Sequence, residues 1–80
     1  MDTEKLKELN RKHLGRGLKG LRLMNNHTLE DLAFYLSRDV GYLSRVENGK
    51  MSIKFDTVSE ILAFYELSTK EFYDKLDDLI

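Results

Sequence analysis

Apolar residues recur at three- and four-residue spacing along most of the chain, and no segment alternates with period two over a useful length. That pattern predicts an all-α fold. Leu14, Leu18 and Leu21 mark a first amphipathic helix that ends near Met24 and Asn25. Gly15, Gly17 and Gly20 interrupt it, each costing up to ~1 kcal/mol relative to Ala, so packing rather than propensity must hold this helix. After a loop at 25–27, Thr28 reads as an N-cap, with Asp31 in the first turn where a negative charge suits the helix dipole. Leu29, Leu32, Ala33 and Leu36 line one face of a second helix. Ser37 and Arg38 form a break, and Asp39 caps a short third helix whose buried face is Leu43 and Val46. Asn48-Gly49 stops it, because Gly tolerates the left-handed conformation. Beyond a loop at 50–54, Phe55, Val58, Ile61, Leu62 and Tyr65 define a fourth helix. Ser68 and Glu71 form a capping box for a fifth, with Phe72, Leu76 and Leu79 or Ile80 on one side. Residues 1–12 are charged and form either a helical extension or a frayed arm ahead of a domain spanning 13–80.

Eighty residues make one domain. Cysteine is absent, which excludes a disulfide framework and a Cys-type zinc site. His13 and His27 are too far apart for a local metal site and read as solvent-exposed, so neither metal nor cofactor is expected. No acidic pair stands in a catalytic setting, which argues against an enzyme. No apolar run approaches the ~18 residues of a membrane span, and the polar N-terminus does not resemble a signal peptide. A cytoplasmic protein without membrane contact is expected. The net charge of -1 argues weakly against nucleic acid, but its distribution changes the picture. Residues 1–50 carry 10 Lys and Arg against 7 Asp and Glu, while residues 51–80 carry 3 against 7. A DNA-facing half and a half turned away would divide charge in this way.

The informative stretch is Thr28 to Gly49, TLEDLAFYLSRDVGYLSRVENG. It encodes two short helices joined by a tight turn, with the small Ala33 where they must cross closely. That is a helix-turn-helix at about 28–48, whose second helix can enter the major groove. The stretch resembles the repressor-like helix-turn-helix domains of phage lambda repressor and Cro, the xenobiotic-response-element family. Thr28, Glu30, Leu32, Ala33, Leu36, Tyr42, Ser44, Arg45, Glu47, Asn48 and Gly49 match that family's pattern without a gap. The resemblance covers about residues 13–68. Three departures from it stand out. Leu29 stands where the family often has a phosphate-anchoring glutamine, Ser37 replaces the usual turn glycine, and Val40-Gly41 opens the third helix in place of polar residues.

The resemblance places Val40, Gly41, Ser44 and Arg45 toward the groove. Arg45 can donate two bonds to guanine O6 and N7, worth roughly 1–3 kcal/mol of discrimination. Val40 either touches a thymine methyl or packs at the helix start; Ser44 suits base or phosphate; Gly41 lets the backbone approach. Thr28, Arg38, Tyr42, Asn48, Lys50 and Lys54 are the expected phosphate contacts, with core packing the alternative for Tyr42. The family pairs an arginine of the first helix with the glutamate of the recognition helix, which implies a structural ion pair between Arg22 and Glu47.

Phe64, Tyr65, Phe72, Tyr73 and Leu76, with Leu79 and Ile80, are more apolar surface than one small core requires. Aromatics favour interfaces, so Tyr65, Phe72, Tyr73, Leu76 and Ile80 are expected at a homodimer interface that sets two recognition helices ~34 Å apart. The expected function is a transcriptional regulator binding a pseudo-palindromic double-stranded DNA operator as a homodimer, acting by steric block or by contact with RNA polymerase or a regulatory protein. The chain is similar to controller proteins of restriction–modification systems, to phage or plasmid repressors, and to the N-terminal domain of peptide-pheromone regulators. The last would make it a piece of a longer chain. The alternative is a protein-interaction module of antitoxin or antirepressor type with little DNA binding of its own.

Overall fold

In the computed structural model, which describes residues 2–80, the chain forms α1 (Thr3–Met24), α2 (Leu29–Leu36), α3 (Val40–Glu47), α4 (Phe55–Phe64), α5 (Thr69–Asp74) and α6 (Leu76–Leu79). No strand occurs among the described residues. The all-α reading therefore holds, with one change in element count. The fifth predicted helix is divided at Lys75, a turn residue between α5 and α6 (φ -99°, ψ 0°), and beyond it Leu76 and Leu79 lie against α1.

The charged N-terminal segment is helical and continuous with the first predicted helix; Met1 lies outside the described residues. Asp2 caps α1 by accepting from the Glu4 and Lys5 amides. Residues 3–10 are exposed all round. With no apolar face to bury, this part rests on its cap and on surface pairs at helical spacing, Glu4–Lys7 and Glu8–Lys12.

The other helix starts follow from local chemistry. Thr28 and Asp31 form a reciprocal capping box, at 3.0 Å from the Asp31 amide to Thr28 Oγ1 and 2.9 Å from the Thr28 amide to Asp31 Oδ2. These bonds hold the Asp31 carboxyl below its ordinary range. Asp39 accepts from the Tyr42 amide at 2.8 Å. Ser68 and Glu71 repeat the box at α5, with the same downward effect on Glu71. The turn between α2 and α3 places Ser37 in the left-handed region (φ 53°) where a glycine would be unstrained. The turn keeps that geometry despite the serine, which costs ~1 kcal/mol or more.

The core joins all six helices through Leu18 and Leu21, Leu32 and Ala33, Leu43 and Val46, Val58, Ile61 and Leu62, Phe72 and Leu76. The glycines of α1 are where neighbours come closest. A Cβ on Gly15 would sit 2.5 Å from the carbonyl oxygens of both Val46 and Glu47. On the adjoining flank, Gly17 faces Phe72 and Leu76, and Gly20 faces Leu79. The helix gives up propensity at these positions and gains close packing on two sides.

Candidate nucleic-acid interface

The position of α3 is fixed by one buried ion pair. The Arg22 guanidinium donates from Nε to Glu47 Oε2 at 2.8 Å and from Nη2 to Oε1 at 2.9 Å. Its Nη1 donates to the His27 carbonyl at 2.7 Å. Both side chains are under 8% exposed. The Glu47 hydrogen bonds raise the Arg22 pKa above its ordinary value, in opposition to burial. One guanidinium thus links α1, the loop before α2 and the end of α3.

So held, α3 turns Leu43, Val46 and Glu47 inward and leaves an outer face of Val40, Gly41, Ser44, Arg45 and Asn48. Arg45 is exposed and makes no ion pair among the described residues. Its Nη1 lies 3.3 Å from where a Cβ on Gly41 would be, and Asp39 Oδ2 lies 3.1 Å from the same point. The missing side chain at 41 therefore gives Arg45 room to fold back over the first turn of α3, a role beyond backbone approach that the sequence did not disclose. Ser44 is half-buried, and Asn48 Nδ2 donates to its carbonyl at 2.9 Å and lies 3.4 Å from its hydroxyl. Val40 is part-exposed at the helix start.

The expected phosphate contacts are not gathered in one place. Arg38, Tyr42 and Lys54 share an open cleft with Ser37, Ser52 and Thr57, between the α2–α3 turn and the loop before α4. Within it Arg38 donates to Glu60 Oε2 at 2.9 Å, an interaction that raises the Arg38 pKa. Among the described residues lining the cleft, Lys54 is the basic side chain without an ion pair, and Asp39 adds a carboxylate to the same lining. Tyr42 is half-buried and packs against the core, leaving its edge in the cleft. Lys50 is exposed. Asn48 faces a second concavity at the far end of α3. Thr28 departs most from expectation. Its amide and hydroxyl are both committed to the capping box, and Glu30 and Asp31 put negative charge on that helix start. Leu29, in the position of the family's glutamine, packs against the core.

The match that decides the family covers residues 18–72, where the chain fits the model of a helix-turn-helix. The chain belongs to the helix-turn-helix family. This is a family of DNA-binding regulators, and the α2–α3 unit with its outward face is the family's helix-turn-helix within this fold. No curated protein and no solved structure matches the chain. No described helix is long and apolar enough to cross a membrane.

Two expectations about the helix-turn-helix chain's surface need correction. Phe72 is fully buried and Leu76 is 6% exposed; both close the chain's own core against Gly17, so neither presents a side chain at the surface as an interface would need. Tyr65 is half-buried, with its hydroxyl 3.0 Å from His27 Nδ1, and burial pushes that hydroxyl up to about 12. Of the expected interface set, Tyr73 and Ile80 remain exposed. His27 is also not solvent-exposed, because its ring packs among Tyr35, Phe64 and Tyr65 at centroid distances of 5.5 to 5.9 Å. Of that aromatic surface, the sequence reading named Phe64 and Tyr65 but missed Phe34 and Tyr35. Tyr35 stacks on Phe64 at 5.3 Å, and Phe34, 81% exposed, stands beside them. The available signal was that Phe34 and Tyr35 fall off the Leu29–Leu32–Ala33–Leu36 stripe.

Proposed function

We propose that the protein is a sequence-specific transcriptional regulator that binds a pseudo-palindromic operator as a homodimer, one α3 in each of two successive major-groove faces. The observation that carries this reading is Arg45, a guanidinium without an ion pair among the described residues, on the outer face of α3 with the space above Gly41 left open for it. Such a side chain can read guanine by two parallel bonds, while Lys54 and Lys50 flank it to fix register on phosphate. Tyr73 and Ile80 lie on the acidic C-terminal side and supply the apolar part of the dimer contact. A cytoplasmic location and contact with RNA polymerase or a regulatory protein belong to the same reading.

Selection of bound duplexes from a random DNA pool tests it, with Arg45→Ala as control. Enrichment of a two-fold symmetric motif that relaxes in the variant supports the proposal. Absence of enrichment at low salt, from folded protein, refutes it. The second reading, a protein-interaction module, is favoured by the exposed Phe34, Tyr35 and Phe64 surface. The two part on salt: counterion release makes duplex binding fall steeply with ionic strength, whereas an aromatic contact does not weaken that way.

A further inference from the structure

On α1, Lys12, Arg16 and Lys19 stand at i, i+4 and i+7, and all three are exposed. Their shared face is pressed against the C-terminal end of α3. A Cβ on Gly49 would lie 2.7 Å from the Lys12 Cα, and Gly15 abuts the Val46 and Glu47 carbonyls. Together with Glu47 and Asn48, the three basic residues line one concavity. Glu47 is already neutralised by Arg22. Arg16 and Lys19 have no acidic partner among the described residues, and Lys12 is tied only to exposed Glu8 at 3.0 Å, a surface pair of little net strength. Asn48 belongs to this concavity and, four residues after Ser44, also to the outer face of α3. The basic line therefore continues the recognition face at its C-terminal end. Another flank of α1 carries Gly17 and Gly20 against α5 and α6, and there His13 lies 3.8 Å from Asp77.

From these positions we infer that Lys12, Arg16 and Lys19 form a second phosphate-contact line, gripping one DNA strand outside the bases read by α3. The inference rests on the DNA-binding reading above. Seven helical residues advance ~10 Å, a length over which one strand presents about three phosphates at 3.4 Å of axis each. The contact is to the sugar-phosphate backbone and carries no base preference.

The test compares Arg16→Ala/Lys19→Ala with Lys70→Ala/Lys75→Ala, which removes the same charge from the acidic C-terminal region. Affinity for a duplex of the selected sequence is measured from about 50 to about 200 mM salt, on a long duplex and on one trimmed to the bases under α3. Losing two phosphate contacts lowers the salt slope by about 1.8, so over that range the parent loses about 12-fold more affinity than the α1 variant. The Lys70/Lys75 variant keeps the parental slope, sequence preference is unchanged, and trimming the duplex removes the difference between parent and α1 variant. Equal slopes for parent and α1 variant overturn the inference while leaving the DNA-binding reading intact. So does a lowered melting temperature with an unchanged slope, which assigns the charges to offsetting the C-terminal carbonyls of α3. A parent that binds no duplex at any salt overturns both.

Discussion

Replacing Arg22 with Ala should be the most damaging single change near the recognition helix. The substitution deletes three hydrogen bonds and leaves the Glu47 carboxylate buried beside an empty volume, with the His27 carbonyl short of a donor. Breaking a buried pair by removing one partner costs ~3–5 kcal/mol, most of it from the charge left behind. Eighty residues at ~0.05–0.15 kcal/mol each give a total stability of ~4–12 kcal/mol, so the loss is a large share. At ~4–8 °C per kcal/mol for a domain of this size, the melting temperature should fall by at least about 12 °C. Thermal unfolding followed by circular dichroism reads this directly. A further measurement isolates the cause. Arg22→Met/Glu47→Leu, which removes both charges and keeps the volume, should regain most of the loss. A variant melting within about 4 °C of the parent, or a double variant as unstable as the single one, would show that the unpaired carboxylate is not what the fold is organised around.

Gly15→Ala should destabilise the protein by about 1–3 kcal/mol through overpacking, despite a propensity gain of ~1 kcal/mol, because the atoms it meets are backbone carbonyls of α3; a raised urea midpoint would contradict the close approach. Ser37→Gly should raise that midpoint, corresponding to about 0.5–1 kcal/mol of added stability, since it relieves a left-handed serine and gives back part in unfolded-state entropy. The two capping boxes should lend an acid limb to the stability profile. Asp31 and Glu71 are held below their ordinary values of 3.8 and 4.5 by their caps. Their contribution is present above those values and lost as pH falls through the depressed ones. Melting temperatures of the parent and of Asp31→Asn/Glu71→Gln should therefore converge in acid, and a constant gap down to pH about 2 would refute this.

The helix starts were legible because Thr28, Asp39 and Ser68 carry their signal within three residues, and the structure finds each capping as read. Residues 3–10 were not assignable, because a helix with no buried face leaves no periodicity to detect. Phe72 and Leu76 were misjudged for a different reason. An apolar residue count shows how much surface must be covered and is silent on what covers it. The cover here is α1 itself at Gly17 and Gly20, residues that in sequence register only as weak helix formers. On α3, the family resemblance already implied that Arg45 points outward, as its exposure shows, but the commitment of Arg38 to Glu60 joins residues 22 apart and has no local trace.

The two glycine flanks of α1 also order the protein's birth. Gly15 meets α3 about thirty residues downstream, whereas Gly17 and Gly20 wait for residues more than fifty positions away. At ~5–20 residues per second of synthesis, α1, α2 and α3 are available seconds before α5 and α6. For that interval the Gly17 side of α1 has no Phe72 over it. The nascent protein therefore passes through a stage in which its helix-turn-helix half has been made while a strip of apolar helix stands uncovered, and this is where a chaperone, or a neighbouring nascent chain, would find it.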